Sequence, residues 1–194
     1  MLQEIFDEHT QVLEEARDSL LPELQKAAEL DEHCLASGHR LLIFGNGGSA
    51  ADAQHFAAEL VGRLEQDRRP LPAIALTVDT SLLTAVGNDH GFEQIFTRQV
   101  EALGRPGDVL VAISTSGNSA NVVRAAEKGR EMGCRSIGLT GREGGRLEES
   151  VDVLIAAPSR TGARVQEIHE LCLHALAAWL ERRLCSGDGE GIRE

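Results

Sequence analysis

The hydrophobic positions change their period once along the chain. From residue 2 to about 36, Ile5, Phe6, Val12, Leu13, Ala16, Leu20, Leu24, Ala27, Ala28 and Leu35 recur at steps of three and four, as on one helical face. Proline suits a first helical turn and disrupts a helix interior, so Pro22, with Ser19 as a nearby cap, predicts two helices here. After Gly38 come short β-rich runs at 41–44 (LLIF), 73–77 (AIALT), 109–113 (VLVAI), 136–140 (SIGLT) and 152–156 (DVLIA). Helical patterns separate them at 49–63, 81–103, 119–132 and 145–149, and a last one covers 163–184.

The runs are apolar throughout rather than alternating, which predicts strands buried on both faces of a parallel sheet. The expected fold class is α/β, a three-layer αβα sandwich on a five-stranded parallel sheet, with N-terminal helices added. Residues 1–38 form the helical segment, packing on the domain or on a neighbouring subunit. Residues 39–184 form a single domain, and the polar, Gly-rich stretch 185–194 reads as a disordered tail.

A length of 194 residues suits that one domain. Charge narrows the partners. With 31 acidic against 19 basic residues the net charge is −12, which argues against broad contact with a nucleic-acid backbone. No apolar run reaches the ~20 residues of a membrane span, and the acidic N-terminus lacks the basic start of a secretion signal. Cys34, Cys134, Cys172 and Cys185 are scattered without a C-x-x-C pair, which fits reduced thiols in the cytoplasm.

In parallel α/β sheets, ligands bind beyond the carboxyl ends of the strands, so the turns after strands carry the candidate chemistry. The first turn, Gly45-Asn46-Gly47-Gly48-Ser49-Ala50, loosely matches the dinucleotide pattern G-x-G-x-x-A. That reading wants an acidic residue roughly 20 positions on, whereas Asp79 lies well beyond, after the polar loop EQDRRP. No Gly-Lys-Ser/Thr follows, which excludes a Walker loop. The turn after 109–113 holds Ser114, Thr115, Ser116 and Ser119 just before a helix start. Hydroxyls and helix N-terminal amides together make a pocket for a small dianion. Two such loops suit a sugar phosphate better than a nucleotide.

Two helical rows follow these turns. His55, Glu59 and Arg63 stand at i, i+4 and i+8 after the first loop; Gln166, Glu170 and His174 do so on the last helix, with His169 off the row. Taken singly, each reads as an ordinary surface or core side chain. Below a phosphate loop, they form a site hypothesis.

With these residues placed, the chain resembles a known family. "FGNGGSAADAQHFAAEL", "VGNDHGF", "AISTSGNSANV" and "RVQEIHELCLH" look like segments of the phosphoheptose (sedoheptulose 7-phosphate) isomerases, whose fold is the flavodoxin-like SIS, or sugar isomerase, domain. The resemblance runs from about residue 2 to residue 184. It implies conversion of sedoheptulose 7-phosphate into D-glycero-D-manno-heptose 7-phosphate through an enediol, the first step toward the ADP- or GDP-heptose used in a lipopolysaccharide core or surface glycan. It further implies Glu59 as base and His174 as acid or proton shuttle. Asn46, Gly47, Gly48, Glu59, Asn88, Asp89 and Gln166 would contact the sugar, and Ser114, Thr115, Ser116 and Ser119 would clamp the phosphate.

The resemblance also implies one Zn²⁺ per subunit, held by His55, Glu59, Gln166 and His174, and a homotetramer with sites near subunit boundaries. A carboxylate committed to zinc is a poorer base, so either Glu59 shifts between roles or metal occupancy is partial. Arg63 would reach the phosphate or pair with Glu59, while His169 and Glu170 are set aside as structural or peripheral. Some members carry an acidic residue just before the arginine of the last helix; here that position is Ala163. The competing reading is a non-catalytic SIS adaptor binding the replication initiator DnaA. Such adaptors share "AQHFAA" and the Ser/Thr loop but lack the acid/base pair.

Overall fold

The computed structural model describes residues 1–185, so the tail expected to be disordered falls, from residue 186 on, outside the described residues. Helix α1 spans Leu2–Ala36. The remaining elements run β1 (Leu41–Gly45), α2 (Gly48–Val61), β2 (Ala73–Ala75), α3 (Thr80–His90), α4 (Thr97–Leu103), β3 (Val109–Ile113), α5 (Ala120–Glu131), β4 (Arg135–Gly141), β5 (Val153–Ala157) and α6 (Gly162–Leu184). The five strands are parallel, in the order β2-β1-β3-β4-β5, with Leu41 opposite both Ala73 and Val109.

Alternate residues of the central strands β1 and β3 enter opposite cores, and β4 and β5 add to the first of them. Leu41, Ile43, Val109, Val111, Ile137 and Ile155 meet α1, α2 and α6. Leu42, Phe44, Leu110 and Ala112 meet α4 and α5 through Val100, Val122, Val123 and Ala126. Burial on both faces explains the uninterrupted apolar runs.

Two expectations need correction. The N-terminal segment is one helix, with Pro22 inside it rather than starting a second. Pro22 sits on the exposed side, while Leu20, Ala27 and Ala28 are buried in the core shared with α6. Burial on that face outweighs the roughly 3 kcal/mol a proline costs inside a helix. Ser19 caps nothing; its hydroxyl donates back to the Glu15 carbonyl at 2.7 Å. The pattern 81–103 is likewise not one helix. Gly91 adopts φ +93°, ending α3 and starting a 3-10 turn at Phe92–Gln94 before α4. The weak pattern at 145–149 is a 3-10 turn over Gly145–Ser150. Asp79 is the N-cap of α3, accepting from the Leu82 amide at 2.9 Å.

No helix among the described residues is long and apolar enough to cross a membrane. The order of the sheet reverses between β1 and β3, and the crevice beyond their carboxyl ends is where this class of sheet binds ligands. The two candidate loops leave those two strands.

Candidate functional site

The first loop is shaped for close approach. Gly47 takes φ +58° at the start of α2, a conformation glycine adopts without strain. A Cβ on Gly48 would stand 2.2 Å from Nε2 of Gln166, so the α6 carboxamide lies directly on the α2 N-terminus. The side chain of Asn46 pairs with that of Asn121 in the first turn of α5.

The second loop is a hydroxyl cradle. Oγ of Ser114 and Oγ of Ser119 are 3.0 Å apart, and Ser116 Oγ accepts from the Asn118 amide at 3.1 Å. Ser119 precedes α5 without capping it through its side chain, so its hydroxyl, paired with that of Ser114, stands at a helix N-terminus. Gly117, at φ +65°, is backed so closely that a Cβ would meet the Gly144 carbonyl oxygen at 1.9 Å. The turn after β4 thus buttresses the cradle.

Helices α2 and α6 bring the titratable groups together. Nε2 of His55 lies 3.1 Å from Oε1 of Glu59 and 3.4 Å from Nε2 of His174, and His174 Nε2 lies 3.2 Å from the same Glu59 oxygen. Glu59 is 10% exposed at its side chain, and its second oxygen is buried without a partner. The two imidazoles meet edge-on at 5.2 Å between ring centres and are more open to solvent.

These three donors fit a divalent metal. Zinc bonds of about 2.0–2.2 Å to nitrogen and oxygen place neighbouring tetrahedral donors about 3.3–3.5 Å apart, close to the 3.1, 3.2 and 3.4 Å separations here. His55, Glu170 and His174 form a second such group. Gln166 precedes Glu170 by one turn on the same α6 row, with its carboxamide on Gly48.

Other sequence-predicted residues fall elsewhere. Helix α2 ends at Val61, so Arg63 leaves the helical row and is exposed. The arginine that grips this segment is instead Arg68, whose buried guanidinium donates to the Glu59 and Leu60 carbonyls and pairs with Glu181 of α6. Asn88 and Asp89 lie exposed at the end of α3, bonded to each other at 2.7 Å. His169 is buried, with Nε2 2.9 Å from the Thr140 carbonyl oxygen, in keeping with a structural role.

Sequence reasoning passed over three members of the site. Glu170, set aside as peripheral, has Oε1 3.3 Å from His55 Nδ1 and 3.5 Å from His174 Nε2. Asp52, one turn before His55, is pushed up to about 6 by burial and by the Glu170 charge, with His55 opposing the shift. Asn121 holds the first loop. Glu170 and Asp52 share helical rows with recognised residues, a signal that was available; Asn121 carries none.

The SIS domain family matches residues 4–141. The phosphoheptose isomerase of Geotalea daltonii is 54% identical over 187 residues, covering 95% of this chain and 97% of its own. That of Geobacter sulfurreducens is 55% identical over 174 residues, covering 90% and 92%. Among solved structures, the phosphoheptose isomerase of Neisseria gonorrhoeae superposes with a TM-score of 0.88 at 48% identity, covering 93% of this chain and 99% of that one. The Francisella tularensis enzyme gives a TM-score of 0.91 at 40% identity, covering 93% and 96%. The adaptor alternative gains no support from these relatives. A clustered Glu and His pair beneath two ligand loops, on a frame shared with these enzymes nearly end to end, places the chain in the SIS-domain family of phosphoheptose isomerases.

Proposed function

We propose that the chain interconverts sedoheptulose 7-phosphate and D-glycero-D-manno-heptose 7-phosphate, feeding synthesis of a nucleotide-activated heptose for a surface glycan. The observation that carries this reading is the 3.2 Å contact between Glu59 of α2 and His174 of α6, a candidate base beside a candidate proton carrier. Ser114, Thr115, Ser116 and Ser119 would hold the phosphate through hydroxyls and the α5 N-terminus. Asn46, Gly47, Gly48 and Gln166 are assigned to the sugar, and Asn88 and Asp89, exposed at the end of α3, would join them only where a subunit boundary brings them to a site.

Moving the carbonyl from C2 to C1 means taking a proton from C1, forming the C1=C2 enediol, and returning a proton to C2. Glu59 is assigned the carbon-bound proton, and its nearly buried carboxylate is shielded from exchange with bulk water. His174, more open to solvent, is assigned the proton that passes between O1 and O2. His55, Glu59, Gln166 and His174 would hold one zinc ion per subunit. When bound it would supply a Lewis acid for the carbonyl and enediolate oxygens.

We assign the assembly as a homotetramer. A groove of about 480 Å³ between α1 and α6 is lined by Leu13, Leu20, Leu21, Leu24, Leu171 and Ala175. Leu21 is 59% and Leu171 48% exposed, an apolar surface that suits a second copy. The cytoplasm is the assigned compartment, in keeping with the buried free thiols of Cys34, Cys134 and Cys172.

The test is an NMR assay of sedoheptulose 7-phosphate with wild type, Glu59→Gln and His174→Gln, after chelation and again with zinc, alongside light scattering of the same samples. Aldoheptose from wild type, with each variant slowed about 10²–10⁴-fold, supports the reading. Absence of product from wild type in every metal condition refutes the activity, and an active monomer refutes the assembly.

A further inference from the structure

We propose that Glu170 is a positioning residue of the metal site, holding the His55 imidazole through Nδ1 so that Nε2 presents its lone pair to the cation. This rests on the reading that His55, Glu59 and His174 bind a divalent metal. The two nitrogens of His55 face different partners. Nε2 points to Glu59 Oε1 at 3.1 Å and His174 Nε2 at 3.4 Å, the donor side of the cluster. Nδ1, the other ring nitrogen, lies 3.3 Å from Glu170 Oε1.

A ring nitrogen that binds a metal must be unprotonated, so a neutral His55 used through Nε2 carries its proton on Nδ1. A carboxylate facing that N–H selects this tautomer, fixes the ring plane and makes Nε2 a better donor. The 3.3 Å separation is an ion-pair contact rather than an aligned hydrogen bond, and a turn of the half-exposed ring about its Cβ–Cγ bond would bring the Nδ1 proton into line.

Glu170 is placed for this task by both helices. It precedes His174 by one turn of α6, and its Oε1 lies 3.5 Å from His174 Nε2, so it bridges the two imidazoles. Its side chain is 30% exposed, partly screened from water. A second carboxylate also adds negative charge beside the cation without drawing Glu59 away from the carbon-bound proton.

Zinc and cobalt(II) binding to the full chain decides the point, using wild type, Glu170→Gln and Glu170→Leu, with circular dichroism to verify the fold. Chelator competition gives affinity, and the visible cobalt bands report the ligand set. Glu170→Leu is expected to weaken metal binding about 10- to 100-fold. Glu170→Gln keeps an oxygen that accepts the Nδ1 proton, so it retains most of the affinity and the wild-type cobalt spectrum. Wild-type affinity in Glu170→Leu overturns the proposal. Cobalt bands altered in Glu170→Gln also overturn it, because they identify Glu170 as a direct ligand. If wild type binds neither ion, the metal reading falls, and this inference with it. Metal binding by an isomerase-inactive chain leaves the inference standing while the activity fails.

Discussion

The carboxamides of Asn46 and Asn121 bond each other reciprocally, Nδ2 to Oδ1 in both directions, each at 2.9 Å. Asn46 belongs to the loop after β1, and Asn121 to the first turn of α5, two residues past the hydroxyl cradle. The pair ties the first loop to the hydroxyl cradle. It also fixes which face of Asn46 donates, since each amide keeps one N–H free for a ligand.

Removing Asn121 should therefore loosen Asn46 while leaving the cradle intact. Two net hydrogen bonds of about 1 kcal/mol each set the scale at about a 10- to 30-fold loss in kcat/KM for Asn121→Ala. Inhibition by inorganic phosphate, which needs only the cradle, should be unchanged. Asn121→Asp sets oxygen against oxygen on one side of the pair and should be no better than alanine. Steady-state kinetics with phosphate as inhibitor checks both; a parallel loss of phosphate inhibition would show that the cradle itself had moved.

His169 makes stability depend on pH. Burial pushes its imidazole down to about 4, against a weaker upward pull from the Thr140 carbonyl, and its Nδ1 is buried without a partner. Between the unfolded value of about 6.5 and the folded value of about 4, the unfolded chain takes up a proton that the folded chain refuses. Stability should then fall as pH drops through this window, by up to about 3 kcal/mol at its lower end. Asp31 and Asp52, both raised by burial, act with the opposite sign because their unfolded carboxyls ionise first. The informative quantity is thus the difference between wild type and His169→Gln in urea melts at pH 7, 6 and 5. It should shrink as pH falls.

The end of α2 depends on one buried ion pair. Arg68 and Glu181 are 1% and 2% exposed at their side chains, and Glu181 also accepts from the amides of Leu64, Glu65 and Gln66. Truncating one partner strands the other charge in the core, at a cost of about 3–5 kcal/mol. Glu181→Ala should lower the melting temperature by about 6–20 °C for a domain of this size. Calorimetry measures it directly. Glu59, whose carbonyl Arg68 grips, should lose activity before the melt begins.

Much of this architecture was legible in the residues. The apolar runs marked all five strands, most plainly β1 and β3, which are buried on both faces, and the rows of α2 and α6 marked His55, Glu59 and His174. What escaped depended on contacts between distant segments. Nothing local to Pro22 reveals that Leu20, Ala27 and Ala28 bury enough surface to carry the helix through it. The break at Gly91 turns on a single backbone angle. Glu170 was visible as a member of its row, but only the approach of α2 to α6 gives it His55 as a neighbour. Arg68 sits in the polar stretch EQDRRP, which reads as solvated loop until Glu181 is found beneath it.

Helix α6 carries Gln166, Glu170 and His174 toward the crevice and, two turns further on, Glu181 into the brace under α2. One residue added to or removed from this helix between 174 and 181 would turn its two ends about 100° against each other. Either the Gln166, Glu170 and His174 row or the ion pair would then face the wrong way. The stretch of α6 between these two sites is thus a spacer whose length matters more than its letters, and a one-residue insertion there should cost more than most substitutions.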